Sequence, residues 1–337
     1  MPNPFVPLAV RSHYSLMWGT DSPAAICRAA RRMGYDRLAL TDTNTLAGLW
    51  KFVDACREQG LIPIVGADIT DPKTDRRAVC LVKDATGYAN LCRLITRRHR
   101  DPAFDLSSAV ARRSAGLRVL TSQVDLLTAW HRAGVHTAAA LPRRPPSPFD
   151  PLVQQARRRG ITLVATPDSF FIRPDGFDRH RLLRAVAGNT ALSRIAPTDT
   201  APADAWLAPV PVYGRRFAHC PEALANTAIL ADELAFGGPD FGRVMPPWAD
   251  PAGQNADACL RRSAYAGAHD RYGPQLAQGV PERLEHELAV IAAMGFSSYF
   301  LVVKQIVAQS PRTCGRGSAA ASLVAYCLGI TNVCPVK

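Results

Sequence analysis

The sequence predicts an α/β fold, a closed or nearly closed β/α barrel followed by a mainly helical region. Three observations carry that expectation. Seven short, continuous apolar runs lie before residue 170. Longer stretches with helical periodicity separate several of them. Beyond residue 215 the apolar positions recur at helical spacing only. Strands buried on both faces read as continuous apolar runs, whereas half-solvated strands alternate. Seven such strands suit a barrel, with a doubly wound sheet as the alternative.

Taken in order, the first run is Phe5–Val10. Ser22 followed by Pro23 is an N-cap with Pro at the first helical position, and it opens a helix through Arg32 that Gly34 ends. Arg37–Thr41 is the second strand. Leu46–Gln59 is a helix stopped by Gly60. Ile62–Ala67 and Ala78–Val82 are strands, then Gly87–Arg98 a helix, then Leu117–Thr121 and His136–Leu141 strands. Pro142–Pro151, PRRPPSPFDP, is a stiff polar connection. A helix over Phe149–Arg159 and a last strand, Thr162–Thr166, complete the barrel. Pro and Asp crowd Ile195–Arg215 and periodicity fades there, so a boundary is expected. The expected modules are residues 1–195, a barrel; 196–280, a linker and helical region; and 281–337, the start of a further module. Pro221–Leu234, Asn255–Tyr272, Glu282–Met294, Ser297–Gln309 and Ser318–Leu328 read as helices.

Composition bounds the partners. The 337 residues are 47% hydrophobic and 20% charged, as in soluble globular proteins and unlike disordered chains. Forty Lys and Arg against 28 Asp and Glu leave +12, which favours an anionic partner, nucleic acid first. No window approaches the ~20 apolar residues of a membrane span. The start lacks a basic stretch ahead of an apolar run, so a cytoplasmic protein without a membrane partner is expected. Nine Cys with no Cys-x-x-Cys pair read as reduced core thiols.

The most chemically suggestive stretch is Thr313–Thr331, TCGRGSAAASLVAYCLGIT. Gly315 and Gly317 let the backbone approach a ligand closely. Ser318 is placed as an N-cap, and a helix start offers free N–H groups. Arg316 adds a planar cation suited to phosphate oxygens. Gly315, Arg316, Gly317 and Ser318 are therefore candidate nucleotide-phosphate ligands. The alternative is a plain helix entry with a solvated Arg. No Lys follows as a P-loop requires, and no third Gly as a dinucleotide fingerprint requires.

These residues carry a family resemblance. MGFSSYFLVV at Met294–Val303 and CGRGSAAASLVAYCLGIT at Cys314–Thr331 resemble the start of the polymerase core in the α subunit of bacterial DNA polymerase III. RSHYSLMWGT (11–20), LALTDTNTLAGLWKF (38–52), IPIVGADI (62–69), LVKDATGYANLCRL (81–94) and LVATPDSFF (163–171) resemble its PHP (polymerase and histidinol phosphatase) domain. PEALANTAILADEL at Pro221–Leu234 resembles the helix beyond it, and YCLGIT is similar to the error-prone class. The resemblance implies a distorted seven-stranded PHP barrel, then a helical region entering a polymerase palm. In metal-bearing PHP domains His, Asp and Glu hold divalent metals for phosphoester hydrolysis, including 3′–5′ exonuclease activity.

Carried over position by position, the first paired His fall at Ala9 and Arg11, and the His after Asp42 falls at Thr43. The acidic ligand of the third strand falls at Asp68, the next His at Arg77, and a later Cys or His near Gln123. The final Asp-x-His falls at Asp168 and Phe170. Only Asp68 and Asp168 keep a ligand atom, with Asp42 beside a third. Ala and Phe cannot donate and Arg repels a cation, so no metal is expected and the PHP domain is expected to be structural. An Arg at a former ligand position is expected to pair with Asp68 or Asp168. His13 and His180 fall outside the ligand positions.

Polymerase chemistry needs two metals held by carboxylates, and the family's catalytic aspartates follow this segment. No catalytic residue is therefore assigned here. Glu282, Glu285 and Glu287 read as a solvated helix face, and Cys334 replaces a usual Asp. By resemblance the complete enzyme takes Mg, a DNA primer-template, dNTPs and other polymerase subunits, in replication or error-prone repair. The alternatives are a stand-alone PHP phosphoesterase or exonuclease, and a non-catalytic remnant binding DNA or polymerase partners through Arg97–Arg100 and Arg157–Arg159.

Overall fold

The computed structural model describes residues 5–143, 149–240, 244–250, 253–310 and 312–336. Residues 144–148 of the expected stiff connection lie outside the described residues. The chain divides into two compact units, residues 1–240 and 241–337.

The first unit opens with α1 (Pro23–Arg32), β1 (Arg37–Leu40), α2 (Leu49–Gln59), β2 (Ile62–Thr70), β3 (Arg77–Val82), α3 (Ala85–Arg100) and α4 (Leu106–Arg112). It continues with β4 (Leu117–Thr121), α5 (Val124–Arg132), β5 (Thr137–Leu141), α6 (Pro151–Arg159), β6 (Leu163–Ala165), α7 (Gly176–Ala187), α8 (Val210–Arg216) and α9 (Pro221–Asp232). One six-stranded sheet runs in chain order and curls into a half-barrel. β1–β2, β4–β5 and β5–β6 are parallel, whereas β3 is antiparallel to both neighbours. The parallel pairing that a regular β/α barrel or doubly wound sheet implies is broken at β3. Only residues 71–76 join β2 to β3, too few for the crossover that a parallel pair needs.

The expected seventh strand, Phe5–Val10, is also corrected. It forms no ladder, only an isolated bridge from Val10 to Ser169. Pro7 has no N–H to donate, and proline interrupts a ladder. The segment still lies between two edges. Ala39 and Thr41 N–H donate to the Pro7 and Val10 carbonyls, and Ser169 N–H donates to the Ala9 carbonyl while Arg11 N–H donates back.

Strand residues alternate between two buried environments. Ala39, Ile64, Val79, Leu81, Ala138 and Val164 share the inner cluster with Leu230 of α9 and Leu234 just beyond it. Their sequence neighbours face the helices: Leu38, Leu40, Ala139 and Leu163 in one cluster, Cys80, Val82, Leu117 and Val119 in another. Leu207, Ala208 and Tyr213, from the Pro-rich stretch, pack with Phe5 in this unit. α1 begins where expected, with the Ser22 side chain accepting from Ala25 N–H. α2 starts at Leu49 rather than Leu46. Gly48 precedes it, where a Cβ would lie 2.7 Å from the Tyr14 ring. α4, α5, α7 and α8 add helices beyond those the sequence pattern predicts.

The second unit packs α10 (Ala256–Tyr272), α11 (Val280–Ala293), α12 (Ser297–Ala308), a 3-10 turn at Ser318–Ala321 and α13 (Leu323–Cys327). Their shared core includes Leu260, Leu284, Leu288, Leu323 and Val324. The expected continuous helix Ser318–Leu328 is broken at Ser322, whose side chain accepts from Ala325 N–H and caps α13 instead. Ser318 therefore heads a 3-10 turn and is not the cap of a long helix. Among the described residues no single helix is long and apolar enough to cross a membrane. All nine cysteines are free thiols.

Candidate functional site

The loops that follow the first segment, β1, β2 and β6 converge on one mouth of the half-barrel. There Arg11 is 1% exposed. Its guanidinium donates to Asp168 Oδ1 at 2.6 Å and to Asp68 Oδ2 at 3.0 Å. Arg77, at the start of β3, donates to Asp68 Oδ1 at 3.2 Å and Oδ2 at 2.7 Å. Arg77 also lies 3.8 Å from Asp168. The Phe170 ring centroid is 4.7 Å from the Arg11 guanidinium carbon. Gln123 accepts from Arg77 N–H through Oε1 at 3.1 Å. The carried-over positions thus meet in space, and the two Arg pair with the two surviving Asp. This mouth opens into a cleft of about 690 Å³, lined in part by Tyr14 and Trp18.

Arg11 and Asp168 favour each other's charged forms. Burial opposes the charge on Arg11, but attraction by Asp168 and then Asp68 outweighs it and raises its pKa. Burial likewise opposes ionisation of Asp168, but attraction by Arg11 and then Arg77 holds its carboxyl below the ordinary carboxylate value. Asp42 serves the backbone. It accepts from Ser12 N–H and Ser15 Oγ at 2.7 Å and from Ser12 Oγ at 2.8 Å. These bonds fold the loop after the first segment, and no short spacing in the sequence announces them.

A metal cluster does not fit these residues. Arg11 places a cation between the two carboxylates that a metal would need, and Asp68 spends both oxygens on guanidinium N–H groups. Ala9 and Phe170 carry no ligand atom. Among the described residues no group of three His, Cys, Asp or Glu is arranged to hold a metal ion. His180, 0% exposed, is fully engaged. Ala201 N–H can only donate, so Nε2 accepts it at 2.8 Å. Nδ1 then carries the hydrogen and donates to the Trp18 carbonyl at 2.7 Å.

The glycine loop lies in the second unit. Gly317 has φ +74°, a conformation that favours glycine. Gly315 packs so closely that a Cβ would stand 2.9 Å from Thr331 Cβ. Arg316, Gly317 and Ser318 are exposed. The amides at the start of α13, however, are already engaged. Glu287 Oε1 accepts from Leu323 N–H at 3.0 Å, and Oε2 accepts from Val324 N–H at 3.0 Å and Ser322 Oγ at 2.8 Å. Any phosphate bound here therefore meets the loop and its 3-10 turn, not the α13 terminus. The solvated face expected for Glu285 and Glu287 is corrected. Glu285 pairs with Arg261 and accepts from the Tyr265 hydroxyl.

Part of each arginine run makes structural contacts, while Arg100 and Arg158 are exposed. Arg97 donates to Asp101 at 2.8 Å, Arg98 bonds the Thr70 carbonyl, and His99 lies 2.8 Å from the Asn44 carbonyl. Arg157 pairs with Glu222 at 3.0 Å.

Comparison with known proteins agrees with both units. Residues 7–141 match the PHP domain family, and residues 258–337 match the family described as bacterial DNA polymerase III alpha NTPase domain. An error-prone DNA polymerase of Nocardia farcinica is 30% identical, over 99% of this chain and 36% of its own length. That of Mycobacterium bovis is 31% identical, over 98% and 34%. This chain carries a PHP-domain match and a DNA polymerase III alpha NTPase-domain match, and its relatives along nearly its whole length are error-prone DNA polymerases. The DNA polymerase III subunit alpha of Halalkalibacterium halodurans is 28% identical over 98% of the chain and 32% of its own length. The chain spans about a third of the length of the curated relatives it matches. Its first unit holds the PHP match and its second unit the NTPase-domain match.

Proposed function

We propose that this chain is the N-terminal portion of a DNA-directed DNA polymerase that acts on a primer-template and dNTPs in replication or error-prone repair synthesis. The observation that carries this reading is the match to such polymerases along 98–99% of the chain. In the cytoplasm, with other polymerase subunits as possible partners, the complete enzyme uses Mg held by aspartates outside this chain. The barrel over residues 1–195 is a structural PHP domain, and a helical region over 196–280 leads to the start of a palm at 281–337. Gly315, Arg316, Gly317 and Ser318 hold nucleotide phosphates, and this chain supplies no catalytic residue.

A structural role for the PHP domain is supported by Arg11, whose cation lies where hydrolysis would need a metal. That disfavours the stand-alone phosphoesterase. The test is binding of dATP to the pure chain by calorimetry. Binding that Arg316→Ala abolishes supports the phosphate loop, and equal binding by that variant overturns it. Primer extension by the pure chain alone would overturn the assignment of no catalytic residue.

A further inference from the structure

The glycine loop is clamped at both ends. On the incoming side Asn332 donates to the Thr313 carbonyl at 3.3 Å, and Gly315 lies against Thr331. On the outgoing side the chain is tied to α11 by two residues one helical turn apart. Glu287 takes the Ser322 hydroxyl and the Leu323 and Val324 amides, as described above. Arg283 donates to Glu287 Oε1 at 3.2 Å, to the Ala321 carbonyl at 2.7 Å and to the Pro335 carbonyl at 3.0 Å. The Glu287 side chain is 18% exposed, far less than a solvated helix face requires.

We infer that Glu287, braced by Arg283, is a positioning residue that holds the Gly315–Ser318 loop in shape for nucleotide phosphates; the inference rests on the phosphate-loop reading above. A carboxylate suits the task because it accepts at two oxygens and donates at neither. Four donors converge on it: one guanidinium, one hydroxyl and two amides. An amide side chain of the same size would offer one accepting oxygen and turn an NH₂ group against the remaining donors. The carboxylate's charge is paired with the Arg283 guanidinium at 3.2 Å. Ligand groups held by a second layer of hydrogen bonds lose less order on binding than free loops do.

The test follows the Gly315, Gly317 and Ser318 amide signals by NMR while the intact chain is titrated with inorganic tripolyphosphate, without divalent metal. In the unaltered chain these signals should shift. In Glu287→Gln the same signals should shift with affinity weakened roughly tenfold. Glu287→Asp, which restores two accepting oxygens, should recover part of that loss, as a merely space-filling role would not. Near-UV circular dichroism checks that each variant is folded. If Glu287→Gln does not fold, Arg283→Met carries the test, because it removes the brace and leaves the carboxylate. Unaltered affinity in the folded variant overturns the inference alone. Amide signals that ignore tripolyphosphate in the unaltered chain overturn the phosphate-loop reading and the inference together.

Discussion

Arg11 shows how a single residue changes a site's chemistry. Its guanidinium replaces a ligand position with a cation, and Asp68 and Asp168 close around it. Removing one partner of a buried ion pair leaves uncompensated charge, which costs about 3–5 kcal/mol. Arg11→Met should therefore destabilise the chain by about that much in urea unfolding, and Arg77→Met by less, because Arg77 is 36% exposed. His180 makes a separate prediction. Burial holds its pKa below the ordinary 6.5, so the folded chain keeps it neutral while the unfolded chain takes up a proton. Its stabilising contribution is complete above pH 6.5 and is lost as pH falls toward the folded value. The melting temperature should fall on acidification below 6.5, and this part of the fall should disappear in His180→Gln. The loss of metal ligands was legible residue by residue, because Ala, Arg and Phe cannot coordinate. The role of Glu287 was not. Its partners beside the loop lie 35 to 37 positions away, and no local pattern marks that distance.

At the scale of elements, capping and proline chemistry decided most of what could be read. Ser22 and Asn255 cap α1 and α10 as their types suggest, each accepting an amide of the first turn. Phe5–Val10 had the composition of a strand, but Pro7 denies it a ladder. The break at Ser322 was hidden because Ala and Leu dominate SAAASLVAY, and only the capping bonds decide where the helix starts. Asp84→Ala, which removes the α3 cap at Gly87 N–H, should cost about 1 kcal/mol in thermal or urea unfolding. Gly87→Ala should cost more than the lost cap, because its Cβ would lie 1.9 Å from the Gly116 carbonyl oxygen.

For the whole molecule, the ion cluster predicts a fold indifferent to metals. Adding EDTA or Zn²⁺ should leave the melting temperature unchanged, and added Mn²⁺ should elicit no hydrolysis of a model phosphodiester. A metal-dependent rise in either would contradict the exclusion drawn from Arg11. The sequence by itself determined that the strands are buried on both sides, because continuous apolar runs need two covered faces. It also carried the resemblance to polymerase III α and revealed the missing metal ligands, because side-chain type limits coordination. The sequence also foresaw an Arg pairing with Asp68 or Asp168; only the tertiary structure decided that Arg11 bridges both, the reversal of β3, and the clamp of Glu287 on the glycine loop. Each depends on groups distant in sequence coming within hydrogen-bonding reach, and electrostatic and hydrogen-bond energies depend on that distance in space.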